Sequence, residues 1–418
     1  MRAMDAESVH AIVSDPPYGL GFMGKSWDRG VPGVEFWREA LRVAKPGAYL
    51  VAFSGSRTQH RLTCAIEDAG WEIRDCLMWL YGSGFPKSHD ISKAIDRHLG
   101  AERRVIGVAR GAGSSNTESL GAFARDYPAT VPATVWDGFG TALKPAYEPI
   151  ILARKPMGST VAACVLEHGT GAININGCRI PYASEKDKAA AAATTVAQRL
   201  CHDQSAGCRV YHDFKNAAAS VAPYLESMQG GRWPANVLLG CACEVEHDAG
   251  CAVAMLDAQS SVSLSSGGAS RFFYTAKASA AERNAGLEHM RAVSPAEITG
   301  RAEGSPGLVN PRSGIGLGKR PNYHPTVKPV SIMRWLVRLV GGKPGNVVLD
   351  PFMGSGTTGV ACAREGFDFV GIDLDPGHVE IARGRIAHAS KEAAPEQAPA
   401  PPVPSVQGSQ LNLLGAQL

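Results

Sequence analysis

The residues Asp15-Pro16-Pro17-Tyr18 follow the apolar run Ala11-Ile12-Val13 and combine one carboxylate, one aromatic ring and two rigid imino acids. An exocyclic amino group on a nucleobase is a poor nucleophile, because its lone pair is delocalised into the ring. Two acceptors on its hydrogens would draw the nitrogen toward tetrahedral geometry and free that lone pair. The Asp15 carboxylate supplies one acceptor and the backbone carbonyl of Pro16 the other, while the prolines fix φ and hold both in place. Tyr18 offers a face for a base turned out of its stack, and that face tolerates positive charge. The same four residues also suit a type I turn that merely closes a strand. Methylation at cytosine carbon 5 would instead require a thiol nucleophile, normally in a Pro-Cys pair, and the chain has none.

A second segment, Leu349-Asp350-Pro351-Phe352-Met353-Gly354-Ser355-Gly356-Thr357-Thr358-Gly359, joins an apolar strand to a helical pattern. Gly354, Gly356 and Gly359 fit GxGxxG, and Asp373 stands at the end of the next apolar run. Such glycines let the backbone approach a nucleoside, and the acid takes its ribose hydroxyls. Taken alone, the segment suits a nicotinamide enzyme, a methyltransferase, or a tight turn with no ligand. Asp350 at the strand tip argues against a dinucleotide, since a carboxylate there repels a pyrophosphate and suits a ligand with a cationic amino group. The Asp15–Tyr18 loop argues the same way, because hydride transfer has no use for it.

Ten cysteines are scattered along the chain without a Cys-x-x-Cys pair, and they read as reduced, mostly buried thiols. Cys241, Cys243 and Cys251, with His247 between them, could supply four zinc ligands. Their spacing matches none of the common finger patterns, so no metal is expected.

The elements that must position these residues alternate in type. Residues 48–53, 72–80 and 147–153 read as strands and 60–69 as a helix stopped by Gly70. From 158 to 319 the periodicity degrades into Gly, Ser and Ala, which predicts a separate irregular domain. It resumes with an amphipathic helix over 330–340, a strand at 347–349, a helix over 357–364, a strand at 369–372 and a helix over 378–386. The Pro- and Ala-rich stretch after 393 is expected to be disordered. The alternation implies one mostly parallel sheet covered on both faces and split by an insertion.

At 418 residues, two or three domains are expected, and 44% hydrophobic residues exclude a wholly disordered chain. The balance of 42 Lys and Arg against 39 Asp and Glu excludes a uniformly basic surface, so any nucleic-acid contact must come from local patches. No apolar run is long enough to span a bilayer and the start lacks a signal-peptide pattern, which predicts a cytoplasmic protein.

The motifs together resemble the β-class DNA amino-methyltransferases, which use S-adenosylmethionine to methylate adenine-N6 or cytosine-N4. The resemblance lies in their order: Asp15-Pro16-Pro17-Tyr18 first, His324-Pro325-Thr326-Val327-Lys328-Pro329 later, and the Asp350–Thr358 turn last. The stretches Tyr81-Gly82-Ser83-Gly84-Phe85-Pro86-Lys87-Ser88, Gly231-Arg232-Trp233-Pro234-Ala235-Asn236 and Ser270-Arg271-Phe272-Phe273-Tyr274 are similar to a phage and prophage subgroup, often orphan enzymes without a partner nuclease.

The resemblance implies a Rossmann-like α/β sheet, circularly permuted, with an inserted target-recognition domain. Its parts would be a catalytic half at 1–157, a target-recognition domain at 158–319, a cofactor half at 320–390 and a tail at 391–418. It implies that Asp15, Pro16, Pro17 and Tyr18 are catalytic and that the target base is flipped from duplex DNA. Asp350, Phe352, Gly354, Gly356 and Thr357 would surround S-adenosylmethionine, Asp373 would hold its ribose, and His324, Thr326 and Lys328 would close its methionine end. Asp rather than Ser at the head of the catalytic loop leans toward adenine, with cytosine-N4 the alternative and a catalytically silent DNA-binding regulator a different one. Members usually carry a Gly-Asp motif and its strand ahead of the catalytic loop, yet 14 residues precede Asp15. Residues 1–9 are therefore expected as the helix after that strand, with the strand either upstream of Met1 or lacking.

Two locally basic stretches, 83–110 and 268–328, suit phosphate contact, the second with Phe272, Phe273, Tyr274 and Tyr323 interleaved. Lys25, Arg271 and Lys277 are the DNA-contact candidates. A homodimer is a family-level expectation. The terminal Gln410-Leu411-Asn412-Leu413-Leu414 resembles peptides that dock on bacterial sliding clamps, although short apolar C-termini are common.

Overall fold

The computed structural model describes residues 1–21, 26–82, 88–110, 126–131, 135–192, 230–241, 243, 251–260, 268–277, 281–300, 302–303 and 319–393. Within them the chain forms β1 (Val9–Ser14), α1 (Val34–Val43), β2 (Ala44–Phe53), α2 (Gln59–Asp68), β3 (Glu72–Tyr81), α3 (Ile91–Leu99), β4 (Arg104–Arg110), β5 (Asp126–Val131) and β6 (Tyr147–Arg154). Next come α4 (Val161–His168), β7 (Val237–Cys241), α5 (Ala252–Gln259), β8 (Tyr274–Lys277), α6 (Pro295–Thr299), α7 (Val330–Val340), β9 (Val347–Asp350), α8 (Thr357–Glu365), β10 (Asp368–Gly371) and α9 (Pro376–Glu392).

Eight strands make one sheet in the order β10-β9-β1-β2-β6-β3-β7-β8, and β4 and β5 form a separate hairpin. Five of its seven pairings are parallel; β6 runs antiparallel to both β2 and β3. Side chains alternate across a strand, so each buried strand feeds two cores. Tyr49, Val51 and Phe53 of β2 face α7, whose Ile332, Met333, Trp335 and Leu336 cover that side. Leu50 and Ala52 face the opposite core, built with Trp37 of α1, Leu62 and Ile66 of α2, and Trp71. A strand buried on both faces explains why residues 48–53 read as a continuous apolar run.

Two expectations are corrected. Residues 1–8 are turns and extended chain rather than a helix, and Val9 already opens β1. The 158–319 segment is not wholly separate: β7 and β8 extend the main sheet through parallel pairing of β7 with β3, and α4 packs on β2. These two strands have only five and four residues, too few to show an alternating pattern against a Gly- and Ser-rich background. The 83–110 basic stretch contains strand β4, paired with β5. Among the described residues, no helix is long and apolar enough to cross a membrane.

Candidate active site

The parallel strands β1 and β9 lie side by side and end at the same edge of the sheet, so the loops that follow them are neighbours at the edge where open α/β sheets place their ligands. Ser14, the last residue of β1, donates its hydroxyl to Asp350 Oδ1 across 2.6 Å, tying the Asp15 loop to the glycine turn. Asp350 is only 2% exposed. Its carboxylate also accepts from Thr358 Oγ1 and the Phe352 amide. Burial pushes the Asp350 carboxyl up to about 6, against the pull of those donors. Both of its oxygens accept from the protein, three donors in all, and through them Asp350 braces the turn.

Asp15 stands in a partly buried network that joins three distant parts of the chain. Lys328 Nζ lies 2.7 Å from Asp15 Oδ2, 3.3 Å from Glu148 Oε2 of β6 and 3.1 Å from Tyr18 Oη. The Tyr18 hydroxyl lies 2.8 Å from Glu148 Oε2 and 3.0 Å from Asp15 Oδ1. Burial raises the Asp15 carboxyl above its ordinary range; Lys328 pulls it back and Glu148 pushes it up again. For Lys328 the desolvation that would lower the ammonium is outweighed by the two carboxylates, so it stays protonated. Burial, then Asp15 and Glu148, drive the Tyr18 phenol well above its usual value, so it stays neutral. With both carboxylates ionised, the cluster carries one excess negative charge.

The glycine turn is shaped by backbone that side chains rarely adopt. Gly354 and Gly356 have φ of 49° and 76°. A Cβ on Gly354 would meet His324 Nε2 at 2.7 Å, and one on Gly356 would meet the Ala382 Cβ of α9 at 2.7 Å. Gly356 caps α8, whose first residue is Thr357. Phe352 packs its ring against Phe36, with centroids 4.6 Å apart. Asp373 accepts from the amides of Gly354 and Asp375 at 2.9 Å each and lies 3.3 Å from His378 Nδ1. Burial opposes ionisation of Asp373, but His378 and the two amides hold it below the ordinary value. His324 lies edge-on to His378, and burial pushes its imidazole down to about 3, so it is neutral. Its Nδ1 is buried without a hydrogen-bond partner among the described residues. Thr326 is exposed on the segment between His324 and Lys328.

The structure thus brings Asp15, Pro16, Pro17 and Tyr18 beside the turn that holds Asp350, Phe352, Gly354, Gly356, Thr357 and Asp373. Lys328 joins the Asp15–Tyr18 loop itself. Of the DNA-contact candidates, Arg271 is engaged inside the protein: its Nε lies 3.1 Å from Asp187 Oδ1 and its Nη1 donates to the Gly268 carbonyl. Lys277 closes β8 through backbone pairing with Cys241, and its side chain lies outside the described residues, as do Lys25 and the 410–414 segment.

Two further residues that the structure places at this site were not read from the sequence. Glu148 sits early in a strand recognised for its apolar residues 150–153, and a lone acid before such a run carries no signal of its partner. Arg385 had a legible clue: it falls on the buried stripe of α9 with Ile381, Ala382 and Ala389. Its Nη1 donates to the Ser355 carbonyl at 2.7 Å and lies 3.2 Å from both Ser355 Oγ and Thr357 Oγ1, underpinning the turn.

Comparison with known proteins gives a consistent family. A family model described as DNA methylase, of the N6/N4 type, matches residues 9–384. The chain is 27% identical over 222 residues to the Type II methyltransferase M.HindIII of Haemophilus influenzae, covering 42% of this chain and 62% of the relative. It is 46% identical over 63 residues to the Type II methyltransferase M2.DpnII of Streptococcus pneumoniae, covering 15% and 23%. The match therefore spans less than two thirds of either curated relative. Among solved structures, the M1.HpyAVI–SAM complex aligns over 92% of this chain and 90% of that chain, at 14% identity and a TM-score of 0.35. The cytosine-N4-specific PvuII DNA methyltransferase aligns over 92% and 81%, at 12% identity and a TM-score of 0.39. The family match runs through the Asp15–Tyr18 loop, the His324–Lys328 segment and the glycine turn alike, and on it the chain belongs to the N6/N4 DNA methylase family.

Proposed function

We propose that this chain transfers a methyl group from S-adenosylmethionine to the N6 amino group of an adenine flipped from double-stranded DNA. The reading is carried by the Ser14–Asp350 hydrogen bond, which sets the Asp15 loop and the glycine turn against each other at one edge of the sheet. The donor set fits the cofactor. Gly354 and Gly356 leave the turn without side chains, and the orphaned His324 Nδ1 offers a buried polar atom beside it. Asp373 has three of about four carboxylate lone-pair positions occupied, leaving one for a ribose hydroxyl. Phe352, Gly354, Gly356, Thr357, Asp373, His324 and Thr326 would hold it, with Asp350 bracing the turn from below. When bound, S-adenosylmethionine supplies a methyl group on a positively charged sulfur.

The protein's own part is to activate the amino nitrogen and to absorb the charge and the proton that its methylation releases. Asp15 and the Pro16 carbonyl accept the two amino hydrogens, and Tyr18 flanks the base. The nitrogen gains positive charge as its new bond forms, and the excess negative charge of the Asp15–Glu148–Lys328 cluster is preorganised to stabilise it. Asp15, with its raised affinity for protons, then takes the displaced proton, and the Tyr18 hydroxyl links it to Glu148.

The test is mass spectrometry of nucleosides from unmethylated DNA incubated with the protein and S-adenosylmethionine. N6-methyladenine is expected. N4-methylcytosine would correct the base and leave the chemistry standing. Cofactor binding without any modified base would replace this reading with a silent DNA-binding regulator.

A further inference from the structure

The three cysteines expected to be ordinary buried thiols converge on one point. Cys241 ends β7, Cys243 follows two residues later, and Cys251 caps the N-terminus of α5 in extended backbone. Their sulfurs all lie within 4.8 Å of one another. In a tetrahedral zinc site with Zn–S bonds of about 2.3 Å, neighbouring sulfurs stand roughly 3.8 Å apart, so the cluster is within about 1 Å of closing on an ion. Side-chain packing alone does not require this grouping, for the surrounding Leu239, Val253, Leu256 and Phe273 supply the apolar contacts.

Two further geometric features accompany the convergence. The Cys243 amide donates to Cys241 Sγ at 3.4 Å, a polar donor aimed at a sulfur inside an apolar cluster. Cys251 is the N-cap residue of α5, in extended backbone, and its side chain makes no capping hydrogen bond to the helix amides. We propose that Cys241, Cys243 and Cys251 bind a zinc ion that fixes the connection from β7 to α5. His247, which the sequence offered as a candidate ligand beside these cysteines, lies outside the described residues.

The position gives the ion a structural task. Asp257 of α5 accepts from both the amide and the hydroxyl of Ser270, each at 2.8 Å, and Ser270 leads into β8 at the sheet edge. An ion at the start of α5 therefore braces the segment that carries Arg271, Phe272 and β8, remote in role from Asp15.

The experiment uses full-length protein purified without a metal-affinity tag and analysed for metals by elemental mass spectrometry. About one zinc per chain is expected. Cys241→Ser, Cys243→Ser and Cys251→Ser should each lose it, whereas Cys64→Ser, an exposed position on α2, should keep it. Because a serine variant can fail to fold, the unaltered protein is also loaded with cobalt. A strong near-ultraviolet thiolate-to-cobalt charge-transfer band with the intensity of three thiolates supports the site. Metal-free protein with no such band overturns it, as does zinc that survives all three serine changes or a disulfide between any two of the three.

Discussion

Lys328 Nζ and Asp15 Oδ2 lie 2.7 Å apart although 313 residues separate them in sequence. A lysine ahead of α7 thus reaches into the loop after β1 and divides its charge between Asp15 and Glu148. This makes the protonation of Asp15 a property of three residues. An ionised Asp15 is the acceptor the proposed reaction requires, and its carboxyl is raised. Activity should therefore fall as pH drops through a value above the ordinary aspartate range. Glu148→Gln removes a like charge, lowers the Asp15 pKa and should move the acid limb of kcat/KM to lower pH. Lys328→Met removes the opposite charge and should move that limb to higher pH. Profiles of the two variants that shift in the same direction would contradict the network.

Asp15→Ala should separate chemistry from cofactor binding. Losing one preorganised group at a developing charge costs on the order of 10²–10³ in kcat. The glycine turn keeps its brace, because Ser14 and Asp350 are untouched. Single-turnover methylation and calorimetric titration with S-adenosylmethionine, run on the same preparation, check both halves of this expectation. Rapid methylation by the variant would remove Asp15 from the mechanism.

The two left-handed glycines should respond differently to alanine. Each substitution costs about 1–2 kcal/mol for the conformation alone. Gly356→Ala also drives a Cβ into Ala382 of α9, at 2.7 Å from its Cβ and 2.9 Å from its Cα, which only a helix shift relieves. It should lower Tm clearly. Gly354→Ala meets the His324 ring, which can turn aside, so its larger effect should be on cofactor affinity. Thermal melts paired with titrations distinguish the two patterns.

Arg385→Met should loosen the turn from below. It strips the Ser355 carbonyl of its 2.7 Å donor at a buried position, a loss of about 1–3 kcal/mol. Both Tm and cofactor affinity should fall, with the Asp15 pH limb unmoved. Arg385→Lys should rescue only in part, since a single ammonium cannot reproduce the guanidinium fork that also reaches the Glu282 carbonyl.

Much of this architecture was legible because local pattern and tertiary role agree. Residues 330–340 carry a strong apolar stripe, and they form α7 with the bounds read from the sequence. The Asp350–Thr358 turn was legible because glycine spacing reports backbone conformation directly. Strand direction was not, for nothing in residues 147–153 says that β6 lies antiparallel between β2 and β3. That reversal brings Glu148 to Tyr18 and Lys328, so the acid could not be read before the topology. The partner of Arg271 was likewise hidden: its basic, aromatic neighbourhood is visible in the sequence, but the buried Asp187 that pairs with it and with Arg232 is not.

The central position of β1 sets a limit on when the chain can become whole. Its partner β2 is synthesised soon after it, but its other partner, β9, comes more than three hundred residues later. Until Val347–Asp350 leaves the ribosome, β1 presents an open edge and the loop beside it lacks both the Asp350 anchor and Lys328. Contacts of such long sequence separation form late and slowly. A nascent or truncated chain must therefore carry an unpaired apolar strand edge, prone to association, and can acquire its reactive centre only near the end of synthesis.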